Sequence, residues 1–395
     1  MAKICMISVN HSPLDDRIFY KEAKTLQNAG HELTMICRAD ENGILFDMGN
    51  TIKLNKPGQS EIEFEGIPTY AIKSPFTKLD KTLKKFFKGP FYYDFIAKAI
   101  EIDADVYHAH EPESYYIGLQ IAKKNGAKVI FDSHESFTTG TTKEMWVKNR
   151  HLNEMQFLIT ANHLTRGYLV SLNHKIKSAV IYNAAQPSLF TDSIRNRKPN
   201  EITIAHDGYL PFNRGLKEML EAFKIIQKKH SNTKFKIIGN TTGEEKVFFD
   251  QFIATNKLED TVEQTGWVPY QKVPQLLADC QIGIIAKTPT VNNIIGGPPI
   301  KYYNYTGAGM AIIDVDMPET TRLLSKYKNG ISVSNRSVNQ IANSLLLLIE
   351  SPELLQKYQT NSNLAFQNLN WDIEGQKLVD FYANIVLNET GIILH

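Results

Sequence analysis

Short apolar runs alternate with amphipathic stretches along this chain, and the whole alternation occurs twice. Lys3–Val9 is a short continuous apolar run, Asp16–Gly30 has helical spacing through Ile18, Ala23 and Leu26, and His31–Cys37 is apolar again. A run that is apolar at successive positions belongs to a strand covered on both faces, and the amphipathic stretches between such strands are the covers. A parallel, doubly wound α/β sheet meets both conditions. The pattern returns at Asp105–Ala109, Lys128–Asp132 and Ser178–Tyr182, then lapses over 183–200, where Pro, Asn, Ser and Arg dominate without periodicity. It restarts with strands at Glu201–Ala205, Lys234–Gly239, Thr261–Gly266, Ile282–Ala286 and Met310–Val315, and helices at Gly215–His230 and Glu244–Asn256.

The division that follows is 1–183 for a first Rossmann-like unit, 184–200 for a linker and 201–370 for a second unit. An amphipathic tail, 371–395, with Trp371, Leu378, Val379 and Tyr382 on one face, is expected to return to the first. At 395 residues the chain is too long for one small fold. Forty-four Lys and Arg against 42 Asp and Glu leave a net charge of +2, which argues against a nucleic-acid polymer as partner. Cys5, Cys37 and Cys280 sit inside apolar runs without CxxC spacing, so buried thiols are expected rather than disulfides or a cysteine zinc site. Met1–Asn10 lacks the long apolar region of a signal peptide, and no run has the length of a spanning helix, so a cytoplasmic protein is expected.

Ligands of open α/β sheets collect at the carboxyl ends of the strands, so the loops after strands are where chemistry is sought. No GxGxxG follows the first strand and no GxxxxGK[ST] occurs, which removes the main signals for a nicotinamide enzyme and a P-loop NTPase. The first loop reads Asn10-His-Ser-Pro-Leu-Asp-Asp-Arg-Ile18. Asp15 or Asp16 can cap the next helix, but capping does not account for His11 or Arg17. Asp105-Val-Tyr-His-Ala-His-Glu-Pro112 and Phe131-Asp-Ser-His-Glu135 end two further strands in histidines and acids. His108 and His110 alternate to the same side of an extended segment, so metal binding is weighed. Asp105, His110, Glu111, Asp132, His134 and Glu135 come from loops that need not converge at metal-ligand distance, and the expectation is no metal, with a histidine placed near a sugar or acceptor.

The second half carries glycines and cations. Asp207-Gly-Tyr-Leu-Pro-Phe-Asn-Arg-Gly-Leu216 places Gly208 where a ligand can approach backbone and Arg214 where a phosphate can be held at a helix start. In Ile295-Gly-Gly-Pro-Pro-Ile-Lys-Tyr-Tyr-Asn-Tyr-Thr-Gly-Ala-Gly309, Gly296 and Gly297 free backbone N–H groups, the prolines suit a first turn and Lys301 adds charge. The segment is either an anion site or a helix start that is merely rich in glycine and proline.

Taken in order, these segments resemble the GT-B glycosyltransferases, and among them glycosyltransferase family 4, bacterial enzymes of surface-glycan assembly. The resemblance runs through His11–Ile18, Lys21-Glu-Ala, Gly30-His-Glu-Leu, Asp105–Pro112, Phe131–Glu135 and Ile181-Tyr-Asn183. It continues through Arg214-Gly215, Ile237-Ile-Gly239, Gly266-Trp-Val-Pro269, Asp279–Gly283, Pro299-x-Lys301 to Gly309, and Trp371. The resemblance implies two Rossmann-like domains facing across a cleft. It implies a donor, a UDP- or GDP-linked sugar, on the second domain, at Gly208, Arg214, Gly239, Asn240, Val268, Gly296, Gly297, Lys301 and Asn304. An acceptor, a glycan or a lipid-linked molecule, is implied on the first, at His11, Asp15, Arg17, His110 and Glu111. The catalytic set it implies is His134, Arg214 and Lys301, acting with retention and without a metal or other cofactor. The patterns Asp103-Ala-Asp105 and Asp314-Val-Asp316 could suggest a metal-dependent GT-A enzyme, but they flank strands inside the GT-B order, which makes chance the better explanation.

Two features stand apart. Family members usually carry two glutamates two helical turns apart near the donor ribose; here the second position is Asn304, and no Glu occurs from Gln264 to Pro318. Asn keeps hydrogen bonding but brings no carboxylate. A non-catalytic nucleotide-sugar-binding relative, or a GT-B epimerase, therefore remains open. In 76–95, Leu83, Phe86 and Phe87 share one helical face and Lys81, Lys84, Lys85 and Lys88 the other. That is either a contact for an anionic membrane, at its inner face, or an ordinary surface helix.

Overall fold

The computed structural model describes residues 1–11, 13–39, 44–47, 50–53, 61–73, 93–134, 151–191, 196–198, 201–334 and 336–387. The amphipathic stretch 76–95 lies outside them except for its last three residues, as does Glu135. Two compact units are formed, one from Met1–Tyr182 with Gly375–His395, the other from Asn183–Glu374.

The first unit holds β1 (Lys3–Ser8), β2 (Glu32–Ala39), β3 (Ile44–Asp47), β4 (Asn50–Lys53), β5 (Glu61–Phe64), β6 (Ile67–Lys73), β7 (Val106–His110), β8 (Lys128–Ser133), β9 (Phe157–Thr160) and β10 (Lys177–Val180). Its main sheet has the order β10-β9-β8-β7-β1-β2-β6-β5, and β3 and β4 pair separately. All neighbours in the main sheet are parallel except the β5–β6 hairpin, which turns at Glu65 and Gly66, both with positive φ. β1, β7 and β8 are buried through nearly their whole length, as continuous apolar runs require. Their register places Ser8 beside His110 and His110 beside Asp132 at the carboxyl end.

The second unit holds β11 (Ile202–Asp207), β12 (Thr233–Ile238), β13 (Val262–Gln264), β14 (Ile282–Ile285), β15 (Ala311–Val315) and β16 (Gly330–Val333) in one parallel sheet, ordered β13-β12-β11-β14-β15-β16. The helix Leu216–Lys229 buries Leu216, Met219, Leu220, Phe223 and Ile226, the stripe its spacing predicts, in one cluster with Phe235 and Ile237 of β12. Each such side chain contributes about 1.5–3 kcal/mol on burial.

Three differences from the sequence reading have physical causes. The stretch 184–200 is no free linker, because Ala184 and Ala185 are buried in the second unit and Phe190 meets Phe366 edge-on at 5.7 Å. Arg197 ties it further, donating to the carbonyls of Cys280 (2.9 Å), Ala308 (2.6 Å) and Gly309 (2.9 Å). Strands β3 to β6, β9 and β16 went unread: Pro68 interrupts β6, and β9 and β16 have only four residues each. The chain re-enters the first unit at Gly375, within the helix Trp371–Phe381, and buries Leu378, Phe381, Tyr382 and Val386 there. The three cysteines are free and buried.

Candidate functional site

At the carboxyl end of β1, β7 and β8 the first unit gathers an unusual density of titratable groups. Asp15 does cap the helix that follows, its Oδ1 accepting from the backbone N–H of Arg17 (2.9 Å) and Ile18 (3.1 Å). Its other oxygen lies 3.4 Å from His11 Nδ1, so one side chain serves both readings. Burial opposes ionisation of Asp15, yet His11 brings its carboxyl down to about 2. Burial works against the His11 imidazolium in turn, and Asp15 outweighs it, raising His11 above its ordinary value.

His134 sits at the centre of this group. Its backbone N–H donates to Glu111 Oε1 (3.0 Å), its Nε2 is 3.3 Å from His110 Nδ1, and its ring lies 5.0 Å from that of His11. Burial holds the His134 imidazole below its ordinary value despite Asp132, so it is neutral at neutral pH and can donate or accept. Glu111 has φ +70°, a left-handed conformation a non-glycine residue holds only at a cost of about 1–3 kcal/mol. That strain stands at the junction of β7 and its helix, where Glu111 reaches back to His134.

Two residues expected on the acceptor side are placed elsewhere. Arg17 and His110 are fully buried and line no surface. The Arg17 guanidinium donates to Ile181 O (3.0 Å), pairs with Glu22 (2.8 Å) and lies 3.3 Å from Asp132. Burial and the neighbouring His108 keep His110 well below the ordinary histidine value. His11, Asp15, Glu111 and His134 remain the partly exposed members. The loops also converge, against the sequence expectation: ligand atoms of Glu22, His108, His110 and Asp132 all lie within 4.8 Å of one another, as do those of His11, Glu111 and His134. Strand register causes this, since it aligns the β7 and β8 ends that sequence separation hides.

In the second unit the site is built on glycines. Gly208 (φ +93°) ends β11 and Gly239 (φ +152°) ends β12, and a Cβ on Gly239 would stand 2.4 Å from Gly208 O. A Cβ on Gly208 would stand 2.7 Å from Lys301 Nζ. The Leu210 N–H donates to Asn240 O at 3.1 Å, closing the paired turns. Arg214, partly exposed just before Leu216–Lys229, donates to Tyr209 O at 3.3 Å.

Lys301 reaches beneath the Gly208 turn, its Nζ donating to Asp207 O. It is an interior lysine, not the surface charge its place in a first turn suggested. Burial, with Arg214 and Lys287 added and Asp207 opposing, brings it down to about 8. Asn304, in the helix Ile300–Gly307, is buried too. Its Nδ2 donates to Asp207 Oδ2 (2.6 Å) and its Oδ1 accepts from Tyr270 OH (3.1 Å). Asp207 thus puts a carboxylate beside the position where the sequence lacks one. No side chain caps the helix Ile300–Gly307, and Gly296 and Gly297 lie partly buried just ahead of it. Val268 is partly buried on the loop after β13, beside the exposed Trp267.

Glu22, Asp207 and Tyr270 are the members that the sequence motifs do not mark as site residues. Glu22 and Asp207 stood inside quoted motifs, but nothing in their spacing marks them as buried.

Residues 190–364 match the family model for glycosyl transferases group 1. In sequence, no curated protein matches the chain. Among solved structures, sucrose-phosphate synthase from Thermosynechococcus elongatus is similar at 16% identity, over 97% of this chain and 98% of that one, with a TM-score of 0.73. HepE from Anabaena, in complex with UDP and glucose, is similar at 13% identity over 98% and 100%, with a TM-score of 0.71. A glycosyltransferase from Rickettsia africae is similar at 15% identity over 98% and 99%, with a TM-score of 0.66. These likenesses establish the GT-B fold.

Proposed function

We propose that this protein transfers a sugar from a nucleotide diphosphate sugar to a glycan or lipid-linked acceptor, with retention at the anomeric carbon. The bond from that carbon to the diphosphate breaks, a bond to an acceptor hydroxyl forms, and the hydroxyl proton is released with the nucleoside diphosphate. The observation that supports this reading is a set of groups in the second unit: Lys301 beneath the Gly208 turn, Arg214 near enough to act on its charge, and the uncapped start of Ile300–Gly307. Fixed cations and backbone N–H groups stabilise charge developing on a leaving diphosphate without a metal. The family match over 190–364 supports the donor assignment, and so does UDP bound in the similar HepE.

Asn304, backed by Asp207, is assigned to the ribose, and the loop bearing Val268 to the base. On the first unit, neutral His134 is assigned to a hydroxyl of the donor sugar, with His11, Asp15 and Glu111 on the acceptor. A surface-polysaccharide role on the inner membrane face rests on the basic stretch 76–95. Among the described residues no helix is long and apolar enough to cross a membrane.

Replacing Arg214 by Ala is expected to lower turnover about a hundredfold or more, as loss of one transition-state charge contact does. Nucleotide release from a panel of UDP- and GDP-sugars, with and without acceptor, is the measurement. Unchanged turnover in a folded Arg214→Ala protein rejects the phosphate assignment. Binding without release across the panel favours a non-catalytic protein, the reading that Asn304 in the glutamate position supports. Release without any acceptor favours an epimerase.

A further inference from the structure

Beneath the partly exposed His11, Glu111 and His134 lies a second set of side chains to which the transfer reaction assigns nothing. Glu22, His108, His110 and Asp132 have no exposed side-chain surface, and they come from the first helix, β7 and β8. We propose that these four side chains hold one divalent transition-metal ion, zinc by the chemistry of the donors, as a structural centre inside the first unit.

The spacing is that of a coordination shell. His108 Nε2 lies 3.4 Å from Asp132 Oδ2 and 3.8 Å from Glu22 Oε2, while His110 Nδ1 lies 3.7 Å and 3.8 Å from the same two oxygens. Zinc bound to nitrogen and oxygen at about 2.0–2.2 Å in a tetrahedron separates its ligand atoms by about 3.3–3.6 Å. Two neutral imidazoles with two carboxylates form a donor set that suits zinc better than calcium or magnesium, which favour oxygen alone.

An independent observation points the same way. Glu22 Oε2 is buried with no N–H or O–H donor directed at it, and Oε1 meets only the Arg17 guanidinium, with Asp132 alongside. Buried carboxylates are nearly always hydrogen-bonded or ligated. Arg17 does not remove the need. Its Nε faces Glu22 Oε1 (2.8 Å) and its NH2 is nearest Asp132 Oδ1 (3.3 Å), which leaves Oε2 and Oδ2 turned toward the histidines, with Oδ2 3.4 Å from NH2.

His108 is held in place from behind. Tyr382 OH lies 2.9 Å from His108 Nδ1; with that nitrogen protonated and donating to the phenol, the Nε2 lone pair faces the quartet. Stacking of the His108 and His110 rings, 4.5 Å apart at 20°, fixes both planes. His110 Nδ1 can serve the metal or His134, not both, so loading frees His134 Nε2 toward the open side of the site. Four buried protein ligands leave no coordination position for substrate, so the centre is structural and is independent of the transfer chemistry.

The test is metal content of the full chain purified without chelator, followed by cobalt(II) titration of stripped protein. About one zinc per chain is expected, with the visible absorption of tetrahedral cobalt on reconstitution. Stripping is expected to lower the unfolding temperature, and zinc to restore it. Glu22→Gln, close in shape, is expected to lower zinc affinity at least tenfold in a protein that still folds; the double change His108→Ala with His110→Ala is expected to abolish binding. Native protein that is folded, contains no stoichiometric metal, gives no cobalt spectrum and melts identically with and without chelator overturns the proposal. That result would leave Arg17 and a carboxyl proton to balance the quartet, and would not touch the assignment of Arg214, which nucleotide release reads separately.

Discussion

A lysine brought down to about 8 by burial makes a prediction with a definite sign. Free Lys301 carries its charge below that pH and loses it above, so kcat/KM for the donor is expected to fall as pH rises through about 8. A bound diphosphate favours the cation, so the corresponding fall in kcat should lie at higher pH. The stability effect runs the other way: the unfolded lysine still binds its proton between about 8 and 10.4, so this group adds to the stability of the fold as pH rises across that window. Nucleotide release across this range checks the first part, and a limb near pH 8 that persists in Lys301→Arg would assign it to another group. At this scale the sequence revealed residue types and their loops, but not which charges were internal. Arg17, His110 and Lys301 were read as facing a ligand because charged groups usually face solvent. Burial depends on what packs above them, such as the Gly208 turn over Lys301 and the returning Tyr382 against His108. Asp207 was hidden for the opposite reason, since its value lies in reaching Asn304 across 97 residues.

Among elements, the paired turns after β11 and β12 are the least tolerant of change. Gly239→Ala forces a Cβ to within 2.4 Å of a backbone oxygen at a φ that alanine avoids. A loss of about 2–4 kcal/mol is expected, measurable as a lower denaturation midpoint. Gly243→Ala, also at positive φ but with nothing within 4 Å, should cost about 1 kcal/mol. Similar losses in the two would show that the close approach is not what holds Gly239. The principal parallel strands were legible because a strand covered on both faces leaves a run of apolar residues that survives local noise, as in β1 and β15. Pro68 breaks the run of β6 and the run of β9 is only four residues long, so neither stands out in sequence and their pairing is fixed by neighbours already in place.

For the molecule as a whole, two units with separate sheets imply separate footprints. UDP or GDP at a hundredfold excess over its dissociation constant stabilises its binding unit by about 2.7 kcal/mol. Slower amide exchange is expected over 206–216 and 296–304, measured by mass spectrometry with nucleotide alone. Protection confined to 8–17 or 106–134 instead would move the donor to the first unit. The chain also leaves the first unit at Tyr182 and re-enters it only at Gly375. Made from the amino terminus onward, the molecule begins its first unit first and completes it last. Throughout the synthesis of the intervening residues, the β7 end waits with His108 facing a space that Tyr382 will fill. A ribosome that stops after Glu374 therefore releases a whole second unit joined to an unfinished first one, and quality control acting on that product should find its target in the oldest part of the chain.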